Sequence, residues 1–338
     1  MSRLLTPAEI DLTADSIVDW QLPNGMIPWF PGGHADPWNH IEAAMALATA
    51  GRTDAAERAY DWLVGLQHED GSWHQYYTAE GVEQDKFDAN VIAYIATGVW
   101  HHYLITGDTG FLESMFPVVD RAMAFVFELQ QPRGEILWAR HADGTPWSFA
   151  LLTGSSSMYH SARAAMAAAR ELGIERPEWP DRIARLGEVV RERPEGAFAP
   201  KNRWAMDWYY PVLSGAVTGQ AALDHLRERY DAFVMEGLGV RCVSDRPWVT
   251  TAETCECAMA FIAAGDRETA RELFDTTYTL RTDDGHYFTG EAHPEKVHFP
   301  ADEQSTYSSA AVLLADDALA LRTPAAHLFS DHELLPAH

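Results

Sequence analysis

A short pattern recurs five times along the chain: a helix rich in small residues, a glycine, a tight polar turn and an amphipathic helix. The glycines are Gly51, Gly107, Gly173, Gly219 and Gly265. Glycine is typical of the position just after a helix, because it adopts the left-handed conformation that ends the helix at little steric cost. Repetition of one such unit predicts five antiparallel helical hairpins.

The two helices of each predicted hairpin differ in composition. Segments before the glycine are apolar nearly all round, such as HIEAAMALATA (residues 40–50) and CECAMAFIAA (residues 255–264). Helices that are hydrophobic on all sides are buried. Segments after the glycine are amphipathic, such as DAAERAYDWLVGL (residues 54–66). The chain therefore predicts an inner and an outer helix in each hairpin.

The two ends of the chain supply a sixth pair. The segment STYSSAAVLLADDALA (residues 305–320) predicts a last inner helix, and Thr6-Pro7-Ala8-Glu9 is a capping box that opens a helix through Trp20. Twelve helices arranged in this way predict an all-α fold, an (α/α)6 barrel. Residues 1–338 would form one domain whose N-terminal helix closes the ring. An open helical solenoid and an α/β enzyme are the less favoured alternatives.

The charge balance restricts the partners. The 338 residues contain 25 Lys and Arg against 50 Asp and Glu, a net charge of −25, which disfavours nucleic acid and anionic membranes. Three cysteines do not make a disulfide framework. The N-terminus has no apolar signal-peptide core, and no uncharged stretch is long enough to span a membrane, so we expect a soluble cytoplasmic protein. No oligomeric state is predicted.

The loops that enter the inner helices gather carboxylates and aromatic rings at one end of the barrel. Such entries are rich in helix caps, and buried Trp is often simply core, so each residue alone has a structural explanation. The combination suits a carbohydrate cleft, because carboxylates bind hydroxyl groups and catalyse acid–base steps while Trp and Tyr stack on sugar rings. The entry residues are His34, Asp36, Trp38 and His40; Asp85, Asp88 and Asn90; Ser155, Ser156, Ser157 and His160; Trp204, Asp207, Trp208 and Tyr209; Trp248, Glu253 and Glu256; and Asp302, Glu303 and Tyr307.

Four carboxylates are candidate catalytic residues. Glu253 is the first candidate for the general acid, because apolar Trp248 and Val249 precede it and apolar surroundings favour a protonated carboxyl group. Asp36 is the first candidate for the base that activates water. Asp88 and Asp207 are reserves, which bind sugar hydroxyls if they are not catalytic.

The candidate substrate-binding residues surround these carboxylates. Trp38, Trp208 and Tyr209 are predicted to stack on sugar rings, and Glu303 is a weaker carboxylate candidate. His40 flanks Asp36 and is a candidate sugar ligand, with a hydrogen-bonded core histidine as the alternative.

Other motifs have more ordinary interpretations. Turns containing Gly follow several outer helices, and we expect Trp73, Trp138 and Tyr287 to pack these loops, with Trp73, Tyr76 and Tyr77 in the cleft as the alternative. The run TGSSS at Thr153–Ser157 is expected to cap the third inner helix. Cys255-Glu256-Cys257 lacks the partners of a zinc site, and there is no nucleotide fingerprint, so no metal or cofactor is predicted.

The whole-chain pattern resembles the six-hairpin glycosidases and the related prenyltransferase-like and terpene-cyclase toroids. LQHEDGSW (Leu66–Trp73) is similar to the QW repeat of triterpene cyclases, but Asp85-Lys86-Phe87-Asp88 lacks their DxDD acid, and no zinc set of the protein prenyltransferases can be placed. These departures favour the glycosidase branch.

Two further runs, RWAMDWYYPVLSG (Arg203–Gly215) and GVRCVSDRPWVTTAETCEC (Gly239–Cys257), narrow the resemblance. They resemble an actinobacterial group of endo-acting α-mannosidases that hydrolyse cytoplasmic methylmannose polysaccharide. The resemblance implies a polymeric α-mannoside substrate and inversion at the anomeric carbon. The alternatives are an isoprenoid enzyme on the same toroid and a non-catalytic sugar-binding protein.

Overall fold

The computed structural model describes residues 3–332 and residue 335, and most of its regular structure is helical. A 3₁₀ helix, Thr277–Leu280, follows the thirteenth α-helix. In chain order the α-helices are α1 (Pro7–Trp20), α2 (Pro37–Thr49), α3 (Thr53–Val64), α4 (Ala89–Ala93), α5 (Ile95–Thr106), α6 (Thr109–Glu128), α7 (Leu152–Glu171), α8 (Trp179–Glu192), α9 (Met206–Leu213), α10 (Gly219–Glu228), α11 (Tyr230–Phe233), α12 (Thr251–Ala263), α13 (Arg267–Thr276) and α14 (Thr306–Ala320).

Six helices form a closed inner ring. Helix α2 packs against α5, α5 against α7, α7 against α9, α9 against α12, α12 against α14, and α14 returns to α2. Helices α3, α6, α8, α10 and α13 pack outside their inner partners, while α1 packs on α14 and α2. The predicted all-α (α/α)6 barrel is therefore confirmed. The open solenoid is wrong because the first and last inner helices are in contact.

Small side chains allow the inner helices to approach closely. In α7 the alanines from Ala162 to Ala169 are buried. A Cβ atom added at Gly98 in α5 would lie 2.3 Å from Cγ2 of Ile41 in α2, so this contact needs a glycine. Outer helices bury one side only: in α8, Ile183, Leu186 and Val190 are buried while Glu188 is exposed. The predicted difference between inner and outer helices is confirmed.

Four of the five repeat glycines end a hairpin's first helix as predicted. Gly51, Gly107, Gly173 and Gly265 have φ angles of +74°, +65°, +67° and +87°. The prediction for Gly219 is wrong, because this glycine is the first residue of α10. Helix α9 is short and ends at Leu213, so Gly215, with φ +78°, takes the left-handed position instead.

The predicted start of α1 is confirmed, whereas the predicted cap of α7 is wrong. Thr6 Oγ1 accepts a hydrogen bond from the Glu9 amide at 3.3 Å, and the Glu9 carboxylate accepts one from the Thr6 amide at 2.9 Å. Helix α7 starts earlier than expected, with Leu151 at the N-cap and no side-chain capping bond. Thr153–Ser157 therefore lies inside the helix rather than at its cap.

Short antiparallel strands brace the connections that enter the inner helices. β3 leads directly into α4 and β7 leads directly into α12, so their partner strands fix where these helices begin. The sheets pair β1 with β2, β3 with β4, β5 with β6, and β7 with β8 and then β9. The strands are β1 (Tyr76–Thr78), β2 (Gly81–Gln84), β3 (Phe87–Asp88), β4 (Ala139–Arg140), β5 (Val234–Met235), β6 (Gly239–Val240), β7 (Trp248–Thr250), β8 (Gly290–Ala292) and β9 (Val297–His298).

The turns after the outer helices are packed by aromatic side chains. Trp73 and Tyr287 are both fully buried, and Trp73 Nε1 donates a hydrogen bond to the Leu63 carbonyl at 2.8 Å. The predicted packing role is confirmed for these two residues. Within the part of the chain that the structure describes, no helix combines the length and apolarity needed to cross a membrane.

Candidate active site

A cavity of about 410 Å³ opens where the first turns of α2, α4, α7, α9, α12 and α14 meet. Its lining combines carboxylates and aromatic rings, and Lys201 is the one basic side chain among the described lining residues. The carboxylates are Asp36, Glu42, Asp88, Asp207, Glu253 and Glu256, and the aromatic residues are Trp29, Trp38, Tyr76, Trp138, Trp204 and Tyr307. The structure thus brings all four predicted catalytic carboxylates to one cavity.

Asp36 is the N-cap of α2, and its carboxylate is firmly oriented. Oδ1 accepts a hydrogen bond from the Asn39 amide at 3.1 Å, while Oδ2 accepts from Asn39 Nδ2 and from Trp29 Nε1, both at 2.7 Å. Burial raises the pKa of Asp36, and the hydrogen bonds from Asn39 and Trp29 oppose that rise. The cap fixes the carboxylate at the cavity wall while it stabilises the helix start.

Asp88 caps α4 in the same way on a neighbouring part of the wall. Oδ1 accepts from the Asn90 amide at 3.0 Å, and Lys86 Nζ lies 3.8 Å from Oδ2. Burial raises the pKa of Asp88 to about 6, and the Lys86 charge opposes this. Lys86 Nζ also lies 3.8 Å from the centre of the Trp138 ring, a cation–π contact. Trp138, which was expected only to pack a loop, therefore lines the cavity beside a catalytic candidate.

Asp207 and Glu253 are each held by a threonine hydroxyl. Thr153 Oγ1 donates to Asp207 Oδ1 at 2.6 Å, and the Thr153 amide donates to the same oxygen at 3.1 Å. Burial raises the pKa of Asp207. Glu253 lies in the first turn of α12, where Thr250 Oγ1 donates to its Oε2 at 2.5 Å. Both carboxylates are fixed by contacts that a helix start supplies.

Two buried carboxylates of the cavity were missed as catalytic or binding candidates. Glu42 lies in the interior of α2, and Glu256, an entry residue to which no role was assigned, lies one turn into α12. Both are only 7% exposed. Glu42 Oε1 accepts hydrogen bonds from Trp38 Nε1 at 2.9 Å and from the Tyr94 hydroxyl at 3.0 Å. The signal that would have found them is helical spacing, because Glu42 follows Trp38 by four residues and Glu256 follows Glu253 by three.

Three predicted binding residues lie in the core instead of the cavity. Trp208 is enclosed, and its Nε1 donates to the Leu226 carbonyl at 3.2 Å while its ring stacks on Phe233. His40 is also buried, with Nδ1 accepting from the Ile27 amide at 3.0 Å, so the alternative of a core histidine is right. Tyr209 is fully buried and its hydroxyl donates to Glu256. None of the three rings can stack on a sugar in this position.

The remaining candidates divide between the cavity and the rim. Trp38 lines the cavity, with its indole N–H fixed on Glu42. Glu303 is not among the residues that line it; its Oε1 accepts from Thr289 Oγ1 at 2.8 Å, and it borders a separate surface hollow beside Trp20. Within the described residues no group of three or more His, Cys, Asp or Glu is arranged to bind a metal ion.

The comparisons with known proteins agree with a sugar-active site. The chain is 48% identical over 331 residues, 98% of its length and 91% of the relative's, to the MMP endo-(1,4)-3-O-methyl-alpha-D-mannosidase of Mycolicibacterium hassiacum. This chain belongs to the same family as that mannosidase. No family model matches the chain.

Solved structures with much lower identity share the fold of this mannosidase family. The GH63 mannosylglycerate hydrolase from Thermus thermophilus, in complex with glucose, is 12% identical with a TM-score of 0.68, over 91% of this chain and 99% of that one. A D-mannose isomerase is 11% identical with a TM-score of 0.67, over 91% of this chain and 96% of that one. Because one neighbour is a hydrolase and the other an isomerase, the barrel alone does not decide the reaction.

Proposed function

We propose that this chain is an inverting glycoside hydrolase that cleaves α-mannosidic bonds within an oligo- or polysaccharide such as methylmannose polysaccharide. The observation that carries this proposal is the 48% identity, over 98% of the chain, to a relative named as an endo-(1,4)-3-O-methyl-α-D-mannosidase. The cavity supports it, because six carboxylates and six aromatic rings suit a hydroxylated ligand with apolar faces. That lining does not favour an isoprenoid substrate, which would need a largely apolar cavity.

Asp36 is our proposed general base. Inversion requires a carboxylate that removes a proton from water while the oxygen of that water attacks the anomeric carbon from the side opposite the leaving group. The three N–H donors on Asp36 fix both oxygens, so the remaining lone pairs have defined directions. These donors also favour the charged form that a base needs.

Glu253 is our proposed general acid, which donates a proton to the glycosidic oxygen as the bond breaks. It enters the cavity from α12, whereas Asp36 enters from α2, and these two helices flank α14 in the ring. Placement on separate inner helices suits the spacing of ~6.5–9.5 Å that leaves room for the attacking water. Asp88 and Asp207, which lie on the same cavity, are proposed to bind sugar hydroxyls.

One contiguous cluster of buried apolar side chains runs from Leu5 to Leu335, across all twelve helices of the ring. On this basis we propose that residues 1–338 act as one domain. We also propose that the reaction needs no cofactor, because acid and base are both supplied by side chains.

The test combines a substrate panel with matched variants. The purified protein is incubated with α-linked glucans, mannans and 3-O-methylated α-(1,4)-mannosides, and the products are followed by mass spectrometry and by NMR of the first anomer formed. We expect cleavage of the methylated mannoside with inversion. Glu253→Gln and Asp36→Asn should each lower kcat by about a hundredfold or more.

The control variant is Glu303→Gln, which changes a carboxylate of another entry loop that does not line the cavity. We expect it to keep near-normal turnover. Failure of the wild-type protein to cleave any mannoside would refute the proposed function. Near-normal turnover in Glu253→Gln would remove only that residue from the catalytic pair.

A further inference from the structure

The bottom of the cavity is formed by two buried carboxyl groups, Glu42 and Glu256. They project from α2 and α12, the two inner helices on either side of α14. Both also line a smaller chamber of about 20 Å³ that lies beneath the cavity. A residue shared by the two spaces forms the partition between them, so this pair is the floor of the sugar-binding cavity.

The two carboxyl groups of the floor differ in how many of their oxygens accept a hydrogen bond from the protein. Glu256 Oε1 accepts from the Tyr210 hydroxyl at 2.6 Å, and its Oε2 accepts from the Tyr209 hydroxyl. On Glu42, both donors, Trp38 and Tyr94, bind the same oxygen, Oε1. Among the described residues, the structure gives Glu42 Oε2 no hydrogen-bond donor, although the residue is only 7% exposed.

Glu42 Oε2 is not sealed off from the cavity, so this oxygen is free to accept a hydrogen bond from a donor that enters the cavity. Glu42 lines the cavity, so a ligand in the cavity can supply this donor. The fixed positions of Trp38 and Tyr94 leave the carboxylate little freedom to turn away. The arrangement is a preformed acceptor for an O–H group.

We propose that Glu42 Oε2 accepts a hydrogen bond from a free hydroxyl of the sugar ring that reaches the floor, and that Glu42 and Glu256 together reject a methyl ether there. This inference rests on the proposed function, because the ligand is taken to be an α-(1,4)-linked 3-O-methylmannoside. In such a ring the free hydroxyls are those at C2 and C6. A methyl ether has no proton to donate, and its methyl group would press on two buried polar groups.

The floor and the walls of the cavity differ in polarity, and therefore in the sugar groups that they can contact. Trp138 and Trp204 on the walls offer apolar surface to ring faces and to O-methyl groups. The floor offers only polar acceptors. Glu42 and its partner therefore determine which positions of the sugar stay unmethylated, whereas the walls accept the methyl groups.

The test compares three oligosaccharides with the wild-type protein and two variants. The probes are a 3-O-methylated α-(1,4)-mannotetraose and its analogues that are 2-deoxy or 6-deoxy in every ring. The readout is the ratio of kcat/KM for the parent to kcat/KM for each deoxy analogue. The sugars differ in intrinsic reactivity, but this difference is the same for every protein and cancels when the ratios of two proteins are compared. Glu42→Gln keeps an oxygen for Trp38 and Tyr94 but turns an NH₂ group toward the cavity. Tyr94→Phe is the matched control, because it removes a donor from Oε1 and leaves Oε2 in place.

At pH 8, above the pKa of about 7 that burial gives Glu42, the group is mostly ionised. At this pH we expect the wild-type protein to prefer the parent over one of the two analogues by about tenfold or more, as for a hydrogen bond to a charged group. Glu42→Gln should lose most of that preference, whereas Tyr94→Phe should retain it. A merely structural role of Glu42 would lower activity on all three sugars equally, and that result would overturn the proposal.

If Glu42→Gln does not fold, the wild-type protein alone can still refute the proposal. Each deoxy sugar is then used as a competitor of the parent, and inhibition constants of both analogues equal to the KM of the parent would overturn the proposal. A wild-type protein that cleaves no mannoside refutes the proposed function itself. A wild-type protein that cleaves the parent but shows no dependence on either hydroxyl refutes only the role of Glu42.

Discussion

Glu42 gives the barrel a measurable dependence of stability on pH. Burial raises the pKa of Glu42 from 4.5 to about 7, and the neighbouring charges of Asp36 and Glu253 add to this effect. The folded protein therefore holds a proton on this group that the unfolded chain has already released. For a carboxyl group with a raised pKa, the free energy of unfolding falls as pH rises from 4.5 to 7 and stays low above pH 7.

The magnitude follows from the two pKa values. Between pH 5 and pH 8, Glu42 should lower the free energy of unfolding of the wild-type protein by roughly 2–3 kcal/mol. Glu42→Gln removes the titrating group and keeps a similar shape. Relative to the wild-type protein, the free energy of unfolding of this variant should therefore rise by roughly 2–3 kcal/mol on going from pH 5 to pH 8.

The assay is chemical unfolding in guanidinium chloride at pH 5, 6, 7 and 8, followed by tryptophan fluorescence and circular dichroism. Buried histidines such as His40, whose pKa burial lowers to about 4, titrate in both proteins and cancel in the difference. The matched control is Glu188→Gln, because Glu188 is an exposed carboxylate on the outer helix α8. It should follow the wild-type pH dependence.

A difference between Glu42→Gln and the wild-type protein that is the same at pH 5 and pH 8, to within about 0.5 kcal/mol, would refute the reasoning. Such a result would mean that Glu42 is ionised in the folded protein at pH 5. The donors Trp38 and Tyr94 would then outweigh burial in setting its protonation.

Three other predictions concern packing, backbone and the cavity wall. Trp208→Ala should lower the free energy of unfolding by about 3–5 kcal/mol with KM unchanged, because the ring is in the core; a raised KM at normal stability would contradict this placement. Gly71→Ala should destabilise more than Gly144→Ala in thermal unfolding: both have φ near +90°, but only at Gly71 would the new Cβ lie 2.1 Å from a backbone oxygen, that of Arg121. Equal losses would show that conformation alone matters. Trp204→Ala should raise KM about tenfold, or about 1.4 kcal/mol, at an unchanged melting temperature, since the ring is 39% exposed on the cavity; an unchanged KM would exclude stacking there.

The closed ring could be predicted because the features that determine it lie in short segments of the sequence. Ala-rich segments mark helices that must be covered on all sides, and glycines at their ends mark the reversals. The failure at Gly219 has a local cause too. Helix α9 contains Pro211 and ends after eight residues, at Leu213. The left-handed glycine that follows it is therefore Gly215, and not Gly219, which fits the spacing of the repeat better.

The four catalytic candidates were located correctly on the cavity because they stand at helix starts. Asp36 and Asp88 are N-caps, while Asp207 and Glu253 lie in first turns, and the first turns of α2, α4, α7, α9, α12 and α14 all reach the cavity. Which way a side chain points from such a position is fixed by the phase of the helix. Asp207 faces the cavity, but Trp208, about 100° further round, points outward to α10 and to the carbonyl of Leu226.

The floor of the cavity lies one helical turn below the starts of the inner helices. Glu42 was therefore not among the entry residues, and Glu256, which was, received no role. In a helix, a side chain at position i that faces the barrel axis is followed on the same face by the side chains at positions i+3 and i+4. Applied to Trp38 this rule selects Glu42, and applied to Glu253 it selects Glu256, in both cases a carboxylate within an otherwise apolar stretch. An ionisable residue in such a stretch is costly to bury unless it is hydrogen-bonded, so it marks a polar site inside the barrel. The same rule applied to Asp207 selects Tyr210, whose hydroxyl is bound to Glu256, so three inner helices each contribute to the floor one turn below their entry residue. In a barrel of this kind, the residues at the mouth and those one turn deeper form two layers of a single site, and the second layer is as accessible to sequence reasoning as the first.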